Sequence, residues 1–502
     1  MNHVIQDVLI IGAGPAGLTA GYQLCKSNKT VTILEKDPRL VGGISRTEKY
    51  KGFLFDIGGH RFFSKSKEIV DLWNEILPDD FIDRPRLSRI YYGNKYYSYP
   101  LKPIEALTNL GIFTSFLCVT SYLWAKITPI KDPETFHQWV RNQFGEKLFL
   151  IFFKTYTEKV WGMSCDDISA DWAAQRIKGL SLGNAIWYSI IKPLKPSAKK
   201  GGSKPIIKTL IDTFKYPRLG PGMLWEAAAK KIIEKGGEIE MGAHVHQCSW
   251  DSENAMWTVS ASSPAGEKKE YFARSLISSA PLNELSKQIY PPLASIESGD
   301  ALKYRDFITV ALIAKHAKDF PDNWIYIHDP SVKVGRVQNF KSWSPEMVPD
   351  KDLTCLGLEY FCFEGDGLWN MPDHELIHLA TKEIEKIGLI KPNQVIDGVV
   401  VRQPKAYPVY DDQYKENVAN LREEIEACFP TLHLVGRNGM HKYNNQDHAM
   451  MTAMLSTKNI LLGSRKFDVW NVNEDAEYHE SGYEGAENAL SSERLVPQKV
   501  NS

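Results

Sequence analysis

Val8-Leu9-Ile10-Ile11-Gly12-Ala13-Gly14-Pro15-Ala16-Gly17-Leu18 carries the reading of this chain. An apolar run ends in a glycine-rich turn, and a helical pattern with Ala20 and Leu24 follows. A second run, Val31-Thr32-Ile33-Leu34, ends in Glu35. This order and spacing are those of a dinucleotide-binding βαβ unit. Gly12 permits the tight turn, Gly14 lets a pyrophosphate approach the backbone, and Gly17 lets the helix pack close to the strand. Pro15 and Ala16 lie in the first helical turn, where free N–H groups face phosphate. Glu35 stands where a carboxylate accepts hydrogen bonds from a ribose 2′-hydroxyl and disfavours a 2′-phosphate.

Lys36-Asp37-Pro38-Arg39-Leu40-Val41-Gly42-Gly43-Ile44-Ser45-Arg46-Thr47 comes next. A second glycine pair before small and basic residues can wrap a second phosphate-rich stretch. This resembles the extended signature of the amine oxidase-like FAD superfamily. The resemblance implies resident FAD, with Lys36, Gly43, Ile44 and Ser45 among its contacts.

The 502 residues suffice for two or three domains with large cores. A net charge of −1 gives no sign of a nucleic-acid partner. The 7 cysteines are scattered without a CxxC, which points to a reducing compartment and away from zinc or a disulfide framework. The chain enters a strand almost at once, with no signal peptide to be read, so a cytoplasmic setting is expected. Ala106 to Ala125 carries no charge over a spanning length but holds several Thr, Ser and Asn residues. A buried core helix is the favoured reading there. A surface-inserting helix with peripheral membrane contact and a true span are the others.

Phe53-Leu54-Phe55-Asp56-Ile57-Gly58-Gly59-His60 follows the flavin turn, and its glycines permit close approach to a flat ring. A tyrosine-rich strand pair turns at Gly93-Asn94. Residues 103–183 read as helical, with Phe136, Trp139, Val140, Phe144, Leu148 and Phe152 at helical spacing. Residues 192–208 read as a mobile lysine-rich loop. A helix over Leu224–Ile233 leads to Glu238-Ile239-Glu240 and Ala243-His244-Val245-His246, read as parallel strands. His244 and His246 would share a face, but no third ligand stands nearby, so no metal site is assigned. Residues 302–362 alternate like antiparallel strands; Val399–Arg402 and Ala406–Val409 add two short ones. Leu432-His433-Leu434-Val435-Gly436-Arg437-Asn438-Gly439, then Asn445-Gln446-Asp447-His448, form a second strand–glycine–helix unit. It can aim another helix N-terminus at the cofactor.

Several stretches together resemble the UDP-galactopyranose mutases over about residues 7–465. They are Gly58-Gly59-His60, Lys159-Val160-Trp161 with Arg176 beyond, Trp324 to Arg336 with Trp343-Ser344-Pro345, Tyr407-Pro408, and Gly436-Arg437 through His448. That family interconverts pyranose and furanose forms of a nucleotide sugar without net redox change, N5 of reduced flavin displacing the diphosphate. The resemblance implies that Arg176 and Arg336 bind the diphosphate, that Tyr326 and Tyr407 position its phosphates, and that His60 lies by the flavin N5. It also implies cofactor contacts for Gly59, Val245, Gly436, Arg437, Asn445, Gln446 and Asp447. Arginine suits the work because its planar fork matches phosphate oxygens.

The expected fold is α/β: a Rossmann-like FAD-binding domain with an inserted helical domain and an antiparallel β-sheet substrate domain. Residues 1–88, 209–300 and 396–466 are expected to form the discontinuous FAD-binding domain, and 101–208 the helical insertion. Residues 89–100 and 301–395 would form the substrate domain, and 467–502 an acidic tail. The expected enzyme is a mutase-type isomerase (an intramolecular transferase) acting on a small-molecule activated sugar in cell-surface glycan biosynthesis. It would be active with reduced FAD, with NAD(P)H as a candidate reductant. The alternative is an FAD oxidoreductase of the protoporphyrinogen oxidase, amine oxidase or desaturase type. Oligomeric state is not readable from the sequence.

Overall fold

A computed structural model describes residues 4–99, 101–170, 213–315 and 320–473. Arg176, the lysine-rich stretch 192–208 and the acidic tail beyond 473 lie outside these residues.

The strand Ile5–Ile11 sits inside an eight-stranded sheet, parallel to Val31–Glu35 on one side and to Lys268–Ser278 on the other. Ile10 pairs with Ile33 and with Ile277. Its side chains alternate between two cores. Val8 and Ile10 join a cluster with the helices Pro15–Lys26, Gly222–Glu234 and Gln446–Leu462, while Leu9 and Ile11 join Trp257, Leu285, Leu421 and Phe429 on the opposite face. An apolar run buried on both faces is what a central parallel strand requires.

Glu238–Met241 adds to this sheet in parallel beside Val31–Glu35, as expected. His244–Asp251 pairs in parallel only with the short strand Ile289–Tyr290, and antiparallel with Met256–Ser262 on its other edge. The period-two burial of Trp257, Val259 and Ala261 selects that meander. The sheet is therefore mixed, with Leu432–Leu434 in parallel beside Lys268–Ser278.

A seven-stranded sheet takes the order Val395–Pro408, Tyr304–Lys315, Leu353–Cys362, Arg336–Asn339, Trp324–Ile327, Ser88–Tyr92, Lys95–Ser98. It is antiparallel except where Trp324–Ile327 runs parallel to Ser88–Tyr92. The tyrosine-rich hairpin turns as expected at Gly93 and Asn94, whose φ values of 57° and 59° suit a type I′ turn. The two short strands expected over 399–409 are one strand, Val395–Pro408. It continues through Lys405 at φ 51°, near a register shift opposite Arg305 and Phe307.

In the helical segment, Phe136, Val140, Phe144 and Phe152 are buried as the spacing predicts. The uncharged stretch 106–125 departs from the favoured expectation. Gly111, at φ 83°, breaks it into Pro103–Leu110 and Ile112–Ile127, and the second helix buries only Cys118 and Ala125. The large apolar residues the sequence offers for a core stand on the outer side instead, and the docked side is small or polar. Residues 467–473 also differ from a loose tail, since Trp470 and Val472 are buried against the main cores.

The tight βαβ turn gives a direct test. A methyl on Gly17 would lie 1.8 Å from the Gly12 carbonyl oxygen. Gly17→Ala is expected to cost about 1–3 kcal/mol or more through overpacking, read as a lower Tm and reduced bound flavin. Gly367→Ala, with nothing within 4 Å of the added carbon, should leave both unchanged.

Candidate functional site

Strand ends converge on one cleft. It encloses about 1140 Å³ of empty space, part of it open to solvent. Gly12, Gly14, Pro15, Ala16, Glu35, Lys36, Gly43, Ile44, Ser45, Val245, Gly436, Arg437, Asn445 and Gln446 all line it. Gly17, Gly59, His60 and Asp447 do not. Gly17 lies against the Gly12 carbonyl instead, consistent with helix-to-strand packing. A carbon added to Gly14 would meet the Gly43 Cα at 3.9 Å and one added to Gly43 would lie 3.3 Å from the Gly14 Cα, so the two glycine turns pack closely against each other.

Glu35 braces the first turn. Its carboxylate accepts from the Ala13 N–H at 2.6 Å and from the Asp37 N–H at 2.8 Å. Each oxygen keeps a further lone pair for a ribose hydroxyl. Burial raises the Glu35 pKa above the usual carboxylate value. At the far side, Asn445 caps the helix Gln446–Leu462 in a reciprocal capping box with His448. The Asn-Gln-Asp-His run thus has a structural reason as well as a place at the cleft. Gln446 donates to the Arg61 carbonyl at 3.1 Å, tying the helix start to the loop that carries His60. Asp447 is buried behind, its pKa pushed up to about 7 by desolvation.

The second sheet supplies the other wall. Tyr326 pairs with Arg336 across two strands, and Arg336 pairs with Glu359 across the next two, so the three share a face. The Arg336 Nε donates to the Glu359 carboxylate, which also accepts from Gln338 Nε2 at 2.8 Å. Gln338 is held in turn by the Trp343 indole N–H at 2.9 Å. Burial raises the pKa of Glu359, opposed by Arg336, and the pair holds Arg336 charged well above its ordinary range. Tyr156 stands edge-on to Tyr326, ring centroids 5.4 Å apart. Tyr407 stacks on Tyr443 at 5.5 Å, and the Arg437 guanidinium lies 5.2 Å and 5.0 Å from those two ring centres. Arg336 is close enough to act electrostatically on Tyr156, Tyr326 and Tyr407. Among the described residues no hydrogen bond uses the hydroxyls of these three tyrosines or the terminal guanidinium nitrogens of Arg336.

His60 reaches this group from the first sheet's side. A carbon added to Gly58 would lie 3.8 Å from both His60 Cε1 and Arg336 Nη2. Burial, then Arg437 and Arg336, push its pKa down to about 3, so the imidazole is neutral. Its Nδ1 is buried without a hydrogen-bond partner.

The structure therefore gathers His60, Tyr326, Arg336 and Tyr407, and leaves Arg176 outside the described residues. Lys159 does not face them. Its ammonium donates to the carbonyls of Ile327, Asp329 and Val334, clamping the hairpin that carries Tyr326 and Arg336. Sequence reasoning missed Glu359, Tyr156 and Tyr443 at the site, and Ser279, Gln403 and Lys405 in the cleft. For Glu359 a signal existed: it is the lone charge in the apolar strand Leu353–Cys362, and a charge buried there needs a partner.

Comparison with known proteins follows this geometry. Residues 10–76 match the family described as NAD(P)-binding Rossmann-like domain. A reduced UDP-galactopyranose mutase crystal structure superposes with a TM-score of 0.78 over 94% of this chain and 99% of that one, at 20% identity. The chain has the UDP-galactopyranose mutase fold. By sequence, a dTDP-fucopyranose mutase of Escherichia coli is 27% identical over 33% of this chain and 44% of its own length. Protoporphyrinogen oxidase 2 of Arabidopsis thaliana is 24% identical over 28% of this chain and 30% of its own. The chain thus spans under half the length of these curated relatives. Mutases and oxidoreductases alike stand among the relatives of this mutase-fold chain, and together they support the FAD-dependent superfamily and a flavin cofactor.

The residues present fit such a cofactor. The turns at Gly14 and Gly43 line the cleft with no side chain to block a diphosphate, Glu35 retains acceptor capacity, and His60 Nδ1 is an orphaned polar atom beside the second wall. The purified protein is expected to be yellow and to release FAD, not FMN, on denaturation; a colourless protein that FAD does not reconstitute would contradict this. His60 adds a pH test. The unfolded chain protonates it near 6.5 and the folded chain only near 3, so its burial lowers stability as pH falls through that window. Activity should show no ionisation of His60 between about pH 5 and 8, so a break near pH 6.5 that vanishes in His60→Asn would show a charged imidazole instead.

Proposed function

We propose that this chain is an FAD-dependent, mutase-like enzyme that interconverts ring forms of an activated sugar whose anomeric carbon carries a nucleotide- or lipid-linked diphosphate. The observation that carries this reading is the row Tyr326–Arg336–Glu359, set against His60 and flanked by Tyr156 and Tyr407. Bound reduced flavin would supply the nucleophilic nitrogen.

The chain's own residues bind and orient. Glu359 engages only Nε of Arg336 and so fixes the guanidinium plane, leaving the terminal nitrogens as a two-pronged donor for phosphate oxygens. Tyr326 and Tyr407 offer hydroxyls to the same group, which holds the leaving diphosphate near the carbon to which it returns. Neutral His60 can accept or donate one hydrogen bond at the flavin edge without adding charge. Arg176 would be the second cation of the pair, by its resemblance to the mutase arginine.

One observation favours the oxidoreductase alternative. Glu359 already pairs with the Arg336 guanidinium, and an uncharged substrate tolerates such a paired site better than a diphosphate does. Electron balance separates the two. Dithionite- or NAD(P)H-reduced enzyme incubated with candidate nucleotide sugars should convert one ring form to another, followed by chromatography, with no reductant consumed per turnover. One equivalent of electrons delivered to oxygen or another acceptor per turnover would establish the oxidoreductase.

Arg336→Ala is expected to lower kcat/KM about ten- to a hundredfold, from roughly 1.5–3 kcal/mol for a charge-assisted contact. Arg336→Lys should fail similarly, because a point charge cannot reproduce the fork. Flavin content should stay unchanged in both, and loss of FAD would move Arg336 into a cofactor role.

A further inference from the structure

The helix Ile112–Ile127 is built inside out for a soluble protein. Its protein-facing side is small or polar. Cys118 and Ala125 are buried, Ser121 Oγ accepts from the Lys147 N–H at 3.0 Å, and a carbon added to Gly145 would lie 2.6 Å from the Tyr122 backbone nitrogen. The side facing away is large and apolar. Ile112 is 94% exposed, Phe113 76%, Phe116 64%, Leu123 53%, Trp124 63% and Ile127 74%. With Val119, 40% exposed, between Phe116 and Leu123, these residues recur at three and four, which makes one continuous stripe. Ile104, on the preceding helix Pro103–Leu110, extends it at 56% exposure. A contiguous apolar patch of this kind marks a contact surface.

We propose that this stripe lies in the interface of an anionic lipid bilayer, holding the protein on the membrane as a monotopic attachment. No helix among the described residues is long and apolar enough to cross a membrane. The stripe instead has what a surface-lying helix uses: aliphatic and aromatic side chains on one face and cations at the rim. Lys95, Lys102, Lys126 and Lys131 are exposed around its ends, against Asp132 and Glu134. The Lys126 ammonium donates to the Asn142 carbonyl at 2.9 Å and lies 5.4 Å from the centre of the Tyr122 ring, which places a cation at the rim of the stripe. A second copy of the chain is a poorer occupant. A stable dimer takes about 20–30 residues a side, the stripe supplies far fewer, and symmetric pairing would bring like lysine rims together.

The attachment goes beyond the proposed chemistry and does not depend on it. It bears on access, because the inner-face Cys118 belongs to the same apolar cluster that packs against Tyr99 and Tyr326. The candidate site's outer wall and the inner side of this helix therefore share one apolar cluster.

Vesicle sedimentation of the full-length flavoprotein tests this. It should pellet with vesicles of phosphatidylcholine and phosphatidylglycerol, less with phosphatidylcholine alone, and less again at high salt. A Phe116→Asp, Trp124→Asp double variant should bind at least about tenfold more weakly, since each substitution removes a large apolar side chain from the lipid. Both positions are exposed, so flavin content and Tm should match wild type and separate lost attachment from lost fold. Wild type remaining in the supernatant with every vesicle would overturn the proposal, as would equal binding by the variant. A dimer in wild type that the variant dissolves, without vesicle binding, would assign the stripe to self-association instead.

Discussion

The cleft depends on how little space separates three strand ends. The turn at Gly12 runs against Ser279, the turn at Gly436 against Ala16, and Gly439 against the Ser278 carbonyl. A methyl group at Gly12 or Gly439 would come within 2.6 Å of those neighbours, and one at Gly436 within 3.1 Å of Ala16. Only because these carbons are missing can parallel strands far apart in sequence end together and aim two helix starts at one volume. Everything described around the cofactor cleft, from the Glu35 brace to the Asn445 cap, is arranged about that closeness.

The same restraint governs charge on the opposite wall. Arg336 and Glu359 occupy neighbouring strands of a sheet whose two faces pack on large apolar clusters. Such a pair is costly to desolvate and costlier to break, so its presence suits a group held ready for a ligand better than a group that stabilises the fold. The orientation comes through Gln338, which donates to Glu359, and through Trp343, which donates to Gln338. Lys159 does comparable work on the hairpin by filling three carbonyls.

What could be read from sequence follows from how local each feature is. The βαβ turn, the second glycine pair and the Gly93-Asn94 hairpin are set within a few residues each, and they stand where the pattern put them. The cross-strand placement of Tyr326 and Arg336 was legible too, because Asp329-Pro330 between them favours a turn. Glu359, Tyr156 and Tyr443 reach the site through packing between segments distant in sequence, which no spacing rule encodes. Gln403 and Lys405 were hidden for another reason: their strand belongs to the second sheet yet its bulged end lines the first sheet's cleft. For Ile112–Ile127 the composition was plain but the docking face was not, since the rule that large apolar side chains turn inward is reversed here.

Consider finally the strand Leu432–Leu434, whose backbone lies beside Leu276–Ser278 in the first sheet. The chain begins this sheet within its first dozen residues and completes it on the order of 400 residues later. At ribosomal speeds of about 5–20 residues per second, the edge at Leu276–Ser278 waits roughly 8–30 seconds for Leu432–Leu434, and the opening βαβ unit waits longer for the helix that covers its face. During that interval the apolar edge awaiting Leu432–Leu434 has no native cover, and neither does the face that the helix Gln446–Leu462 will close. The protein's vulnerability in the cell therefore belongs to its synthesis as much as to its finished state, and a chaperone that shields one strand's width of edge would guard the interval that matters.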